Sequence, residues 1–315
     1  MYILLGIIAL YFQVLVYEGG HFVFGRLNKA EIAEFTIGIG WKLFSKKIGE
    51  TTYNFKIIPL GGYVVFSDDN NNNEKSFGNR TLFSKLSIYA SGLIMSILSV
   101  IILMTISIGV YGYKSTSINS IDGTYKGVSE GYTVAAVNGK YISTGEEAVY
   151  EMNFAGKDGT VLFEKEDMVS AKARLQDLDY RQIDFYRIEK VNVLDSIEMS
   201  TKRTFALIKS TYNEFYKMII KKINLRDYLS NLCDIVNQTS NGIESLFYKL
   251  IWFTIYIQIT CICINIIPLP IFDGGNILFE LINSVKKKKI SAKTMTVMEL
   301  ASFGISILVL IFVII

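Results

Sequence analysis

Residues 2–25 are apolar and aromatic for longer than the roughly 20 residues a helix needs to cross a bilayer, yet Glu18 and His21 stand within them. An ionisable side chain at membrane depth is costly, so by default it marks a functional position. On a helix, positions 17 and 21 share a face, and Glu18 lies about 100° round from Tyr17. The stretch VLVYEGGHFVFGRL, residues 14–27, therefore has the layout of the zinc-binding helix H-E-x-x-H, with Tyr17 where the first His would stand. His21 is the only histidine, so no other imidazole can take that place. Taken alone, the segment also admits a second reading, in which Glu18 and His21 are a polar pair that packs helices together.

The rest of the composition agrees with a membrane setting. Half the residues are hydrophobic, 19% are charged, and the mean hydropathy is +0.34, which is too apolar for an ordinary soluble domain. A net charge of +3 gives no footprint for a nucleic-acid partner. Cys233, Cys261 and Cys263 imply neither a disulfide framework nor a thiolate metal site. The first apolar run lacks the basic start and small-residue cleavage site of a signal peptide and reads as a retained helix ending near Arg26.

Further along, residues 31–66 alternate apolar and polar side chains between glycine-containing turns, as hairpin strands do. Gly61 and Gly62 permit a tight bend or a close backbone approach. An edge strand here could dock an extended substrate by β-addition, or the sheet could only cover the site. Residues 68–75 form a polar loop. Residues 82–112 are a second spanning candidate, with Ala90, Ser91 and Gly92 small enough to let helices approach closely. Between the two spans lie Arg26, Lys29, Lys42, Lys46, Lys47, Lys56, Lys75 and Arg80, which places that segment in the cytoplasm and the amino terminus outside.

Residues 113–243 are polar and are expected outside the cytoplasm. Within them, residues 131–154 read as strand, Asn-Gly turn, strand and helix, residues 156–169 as a further strand or hairpin, and residues 196–235 as an amphipathic helix or two whose aromatics serve packing. Residues 245–267 are a third spanning candidate. Pro268 and Pro270 then interrupt the helix, and Asp273 sits in an apolar setting. Broken backbone at membrane depth is tolerated where it lines a cavity, which makes Asp273 a ligand candidate; an Asp-Gly turn just outside the membrane is the plainer alternative. Lys286–Lys289 and Lys293 mark a second cytoplasmic loop, and residues 296–315 a fourth span.

With these motifs in place, the chain resembles the site-2 protease family of intramembrane zinc metalloproteases, and in particular the bacterial branch that cleaves anti-sigma factors. Residues 265–275, NIIPLPIFDGG, match the family's N-x-x-P-x-P-x-x-D-G-G. EFTIGIGWKLF and IIPLGGYVVF resemble its membrane-associated β-region, and GYTVAAVNGKYIS the core of the PDZ domain that bacterial members insert between their second and third spans. The resemblance implies Glu18 as the catalytic carboxylate, His21 and Asp273 as zinc ligands, and Asn265, with Gly61 and Gly62, at the substrate strand. It further implies a multi-pass protein of the bacterial cytoplasmic membrane, with four transmembrane helices, a β-hairpin region and an extracytoplasmic PDZ-like α+β domain.

The implied organisation is an N-terminal membrane half (1–112), a PDZ-like domain (113–175), a helical linker (176–243) and a C-terminal membrane half (244–315). The active site would lie in the bilayer near the cytoplasmic side. The implied substrate is the spanning segment of a single-span protein, an anti-sigma factor or a remnant signal peptide, with a peptide ligand for the PDZ-like domain. Two departures stand out. Tyr17 replaces the first zinc-binding His, and Ser91, Gly92, Leu93 and Met95 occupy the second span where the family usually has Gly-Pro and a nearby Asn. A catalytic zinc normally takes three protein ligands and a water, and His21 with Asp273 supplies two. The expectation is therefore either an intramembrane protease with an unusual zinc site or a pseudoprotease that grips membrane segments without cutting them.

Overall fold

A computed structural model describes residues 2–67, 76–121, 128–156, 158–165, 168–178, 180–188, 191–220, 225–241, 243, 245–285, 294, 297–298 and 300–305. In chain order the elements are α1 (Tyr2–Leu27), β1 (Ile32–Ile48), β2 (Thr51–Phe66), α2 (Leu82–Tyr111), β3 (Tyr113–Ile121), β4 (Thr133–Val137), β5 (Lys140–Tyr141) and α3 (Gly145–Phe154). These are followed by β6 (Thr160–Lys165), β7 (Met168–Arg174), β8 (Ile183–Ile188), α4 (Val193–Ile219), α5 (Leu225–Thr239), α6 (Leu246–Asn265) and α7 (Asp273–Val285). They form two compact units, one of residues 1–100 with 256–313 and one of residues 101–255.

The first unit is built on long, predominantly apolar helices. Among the described residues three helices are long and apolar enough to cross a membrane: Ile3–Leu27, Leu82–Tyr111 and Leu246–Asn265. The polar loop at 68–75 and the lysine loop at 286–289 and 293 lie outside the described residues, as does most of the expected fourth span, of which 297, 298 and 300–305 are helical.

Small residues and amides join the spans. A Cβ on Gly20 would come within 2.6 Å of the Ser91 carbonyl oxygen, so only glycine permits this crossing of α1 and α2. Two amides reach the same side of α2: Gln13 Nε2 donates to Ser96 Oγ at 3.4 Å and Gln258 Nε2 to Ser99 Oγ at 3.1 Å.

The sheet beside α1 is more folded than a plain hairpin. The start of β1 lies between two stretches of β2, so that Glu34 is level with both Thr52 and Val65, and Thr36 with both Asn54 and Tyr63. The end of β1 returns along the start of β2, with Ser45 beside Asn54 and Ile48 beside Thr51. Gly38 and Gly40, at φ 85° and 87°, permit the bend between these two runs of β1. One face packs on α1, where Tyr11 stacks on Phe55 at 4.9 Å and Phe22 meets Phe35 at 5.1 Å. Two further bonds pin the sheet, from Tyr11 Oη to the Ile57 carbonyl at 2.6 Å and from Arg26 to Thr51 Oγ1 at 2.6 Å.

The second unit holds a six-stranded sheet of order β7-β6-β4-β3-β8, with β5 paired to β4. The sequence reading of residues 131–154 agrees in detail. Asn138 and Gly139, at φ 50° and 79°, make the tight turn between β4 and β5, and α3 begins at Thr144, whose side chain accepts from the Glu147 amide. The sheet runs past residue 175 to take in β8. Two helices, α4 and α5, pack against α3 through opposite kinds of face. Whereas α5 buries Tyr228, Leu232, Ile235 and Val236, α4 buries mainly Ser196, Ser200, Arg203, Thr204, Ser210, Thr211 and Glu214.

Candidate metal centre

In the first unit α1 presents Gln13, Tyr17, Glu18 and His21 to one cavity of about 830 Å³, which Gly61, Gly62, Asn265 and Asp273 also line. Glu18, His21 and Asp273 are all at least nine-tenths buried. The cavity is of a size that holds a chain segment or small ligand.

His21 is fixed from α2. Its Nδ1 lies 2.8 Å from the Ile88 carbonyl oxygen, with Ser91 Oγ at 3.4 Å. A carbonyl can only accept, so Nδ1 carries the proton, and in the neutral ring Nε2 keeps its lone pair. This is the arrangement in which a metal-binding imidazole is oriented by a backbone acceptor behind it. Gly92 makes room for the ring: a Cβ there would fall 2.5 Å from His21 Nε2 and 2.7 Å from Tyr17 Cε2.

Asp273 arrives from the far end of the chain. With Pro268 and Pro270 in it, the stretch after α6 cannot continue as helix, and the chain turns back through residues 266–272. Asp273 opens α7, where a carboxylate suits the unpaired amides of a first turn. Gly274 and Gly275 follow because any Cβ would run into the backbone of Ile266 and of Leu269 respectively. The Asp-Gly-Gly triplet is thus the sequence of a turn folded back on its own carbonyls, and that turn aims Asp273 at α1.

The two halves meet. Asp273 Oδ2 lies 3.5 Å from His21 Nε2, and Tyr17 Oη donates to the same oxygen at 2.6 Å. Two ligands on one tetrahedral zinc, each about 2.0–2.1 Å from the ion, stand roughly 3.4 Å apart, so His21 and Asp273 fit as a pair. Tyr17 is positioned as a hydrogen-bond donor to one of them, closer to it than two ligands of one ion can be. No third residue among the described His, Cys, Asp and Glu side chains completes a metal-holding group.

Glu18 stands on the cavity wall opposite Gly62, where a Cβ would come within 2.8 Å of Glu18 Cγ and 2.5 Å of the Thr36 carbonyl. Gly61, at φ 151°, faces open space and supplies only a conformation. Asn265 ends α6, and its Nδ2 donates to the Cys261 carbonyl at 3.1 Å, leaving Oδ1 as an acceptor in the cavity lining. All the residues singled out from the sequence, Tyr17, Glu18, His21, Gly61, Gly62, Asn265 and Asp273, therefore line one cavity. The sequence reading missed the Ile88 carbonyl that orients His21 and the role of Gly20, while Gly92, read there as a small residue that lets helices approach, proves to make room for the rings of Tyr17 and His21.

Comparison with known proteins points the same way. The model of the family described as Peptidase family M50 matches residues 5–311. A protein of Clostridium perfringens named "Putative zinc metalloprotease" is 26% identical over 318 residues, covering 96% of this chain and 94% of its own. One of the same name from Clostridium acetobutylicum is 26% identical over 324 residues, covering 99% and 95%. Another, from Thermotoga maritima, is 38% identical over 93 residues, which is 27% of this chain and 19% of that protein.

Proposed function

The chain belongs to Peptidase family M50, the site-2 protease family, and on that premise we propose that it is an intramembrane zinc metalloprotease that cleaves the spanning segments of single-span proteins. The observation that carries the reading is the 3.5 Å approach of His21 Nε2 and Asp273 Oδ2, with Glu18 lining the same buried cavity. His21 and Asp273 would hold the ion, and a zinc held there supplies Lewis acidity and makes water nucleophilic near neutral pH. Glu18 takes the proton from the attacking water and returns it to the amide nitrogen that leaves. Gly62 pairs with β1 on one side, and the other edge of β2 around Gly61 would take an extended segment, with Asn265 offering its amide oxygen to that segment's backbone N–H. The broken stretch from Pro268 to Gly275, whose backbone is not paired as regular helix before Asp273, gives water a way to a helix being unwound.

In this reading the substrates are anti-sigma factors or remnant signal peptides, the protein is a multi-pass component of the bacterial cytoplasmic membrane, and the lysine-rich segment between the first spans is cytoplasmic. The sheet of the second unit acts as a PDZ-like extracytoplasmic domain and takes a peptide ligand.

A second reading is favoured by the 2.6 Å hydrogen bond from Tyr17 to Asp273. That bond engages the oxygen a metal would use and stands in for the missing His, so the chain would bind membrane segments as a pseudoprotease. Metal analysis of the purified protein separates the two. About one zinc per chain, with cleavage of a membrane-spanning substrate lost in Glu18→Gln, supports the protease. Absence of zinc, together with substrate retained uncut and both zinc and cleavage gained in Tyr17→His, supports the binding module. Cleavage that survives Glu18→Gln overturns the assignment of the base.

A further inference from the structure

Gln13 lines the metal-centre cavity but lies too far along α1 to share an ion with His21. It precedes Tyr17 by four positions and His21 by eight, so the three share one face of the helix, with Gln13 about 12 Å from His21 along the axis. The residue is 4% exposed. A glutamine amide carries two donor hydrogens and an acceptor oxygen. The bond it makes runs from Nε2 to Ser96 Oγ of α2 at 3.4 Å, which is long, and among the described residues Oε1 has no partner. Turning the amide over would only exchange which end is left open. A buried acceptor left open costs about 1–3 kcal/mol, so a group that entered the cavity and donated to it would be held.

Gln258 of α6 supplies the contrast. It is fully buried, its Nε2 donates to Ser99 Oγ at 3.1 Å and its Oε1 is open as well, yet it does not line the cavity. Gln258 therefore joins helices and nothing more. What sets Gln13 apart is the longer bond to α2 and the cavity against its side chain.

The place of Gln13 on the wall decides what would meet it. A Cβ on Gly62 would fall 2.8 Å from Glu18 Cγ and 3.0 Å from Val14 Cγ1, so β2 lies against α1 from Glu18 to the neighbour of Gln13. A segment lying along β2 is extended at about 3.3 Å per residue, so 12 Å of helix corresponds to about three or four of its residues. Unwinding a spanning helix strips its N–H groups of partners, at several kcal/mol each where water is excluded. Around Gln13 the wall offers Leu10, Val14 and Leu60, none of which can accept a hydrogen bond through its side chain.

We propose that Gln13 is a substrate-positioning residue, whose side-chain oxygen accepts a backbone N–H of the unwound segment about three or four residues from the bond brought to His21 and Asp273. The assignment rests on the reading of the cavity as a substrate site, and it holds whether the segment is cut or only gripped.

The test is a cycle between one side chain and one backbone hydrogen. The probe is a fluorescent spanning peptide of leucine and alanine with a central Asn-Gly, bound by the full chain in dodecyl maltoside micelles. All chains carry Glu18→Gln, so that the peptide is bound and not cut. A series of the same peptide replaces one backbone amide at a time by an ester, which deletes that N–H. Adding Gln13→Leu should weaken binding of the all-amide peptide about ten-fold, with the unfolding midpoint unchanged or raised because an open buried acceptor is gone. One ester, about three or four residues from the Asn-Gly, should weaken binding to the parent chain by the same factor and make no further difference in Gln13→Leu. Adding Gln258→Leu, which removes a helix-joining amide outside the cavity, should leave the whole series as in the parent. Binding to Gln13→Leu as tight as to the parent overturns the proposal. So does an ester penalty of equal size in both chains, since the side chain and the N–H are then independent. If the parent binds the peptide in no form, the substrate reading of the cavity falls and this assignment falls with it. Should Gln13→Leu fold poorly, Gln13→Met, which keeps the length and loses the amide, carries the same cycle.

Discussion

At the scale of single residues, the site depends on two contacts with no tolerance. Gly92 leaves no room for a methyl group between α2 and the rings of Tyr17 and His21. Gly92→Ala should cost about 1–3 kcal/mol by overpacking and displace His21 from the Ile88 carbonyl. Reduced zinc retention alongside a lowered unfolding midpoint would register both effects, and unchanged retention would mean the ring is held elsewhere. Tyr17 is the other contact. Replacing it by His exchanges a donor to Asp273 for a second imidazole, which would complete a set of three ligands with His21 and Asp273, and should tighten zinc binding by a factor of about 100 or more, read by competition with a chelating dye.

At the scale of elements, each piece that carries the site is held by a few identifiable bonds. The sheet of β1 and β2 hangs on α1 through Tyr11, whose hydroxyl reaches the Lys56 and Ile57 carbonyls at 3.0 and 2.6 Å. Tyr11→Phe should cost about 1 kcal/mol and speed amide exchange across residues 55–58, with little change in the second unit. The joint of α4 with α3 is sensitive to pH. Burial pushes the Glu214 carboxyl up to about 6 from 4.5, Lys217 pulls it down and Glu151 adds repulsion. A carboxyl whose folded pKa is raised holds its proton more tightly when folded. Its charge therefore weakens the joint above pH 6, and the penalty fades as pH falls from about 6 toward 4.5. The effect is on the order of 1 kcal/mol. Thermal unfolding of Glu214→Gln should show a higher midpoint at pH 7.5 and a flatter dependence between pH 7.5 and 5.

At the scale of the whole molecule, the chain spends its two ends on one site. The proposed metal pair, His21 and Asp273, joins a residue of the first helix to one 252 positions later, so occupancy of the site would tie these two segments together. In Tyr17→His, zinc at 100 times its dissociation constant should stabilise the fold by about 2.7 kcal/mol, and removal by a chelator should reverse the shift. The same titration on the chain with Tyr17 in place should give a much smaller shift, since the phenol already engages Asp273.

The positions of three of the four expected spans and the strand–turn–strand–helix of residues 131–154 were legible from residue order on local rules, the length of an apolar run and an Asn-Gly turn. The grouping of Glu18, His21 and Asp273 was what the family resemblance implied, carried by the motif around Asp273. Three features were not legible. The doubling back of β1 and β2 arises from long-range pairing that alternation alone leaves open, because Glu34 can face Thr52 and Val65 at once only in a folded sheet. The bond from Tyr17 to Asp273 needs both ends of the chain in place. The direction of α4 depends on what it packs against: the apolar positions of residues 196–235 announce an amphipathic helix, and Phe205 and Tyr216, expected inside, lie outside because Glu146, Glu151 and Tyr150 offer α4 a polar surface. Sequence by itself thus determined which segments are long and apolar enough to cross lipid and where ionisable side chains interrupt them, since hydrophobicity and donor type are properties of residues. Only the tertiary structure decided that Tyr17 fills the place of a ligand by bonding to Asp273 and that α4 turns its greasy side outward, since both depend on which surface stands opposite.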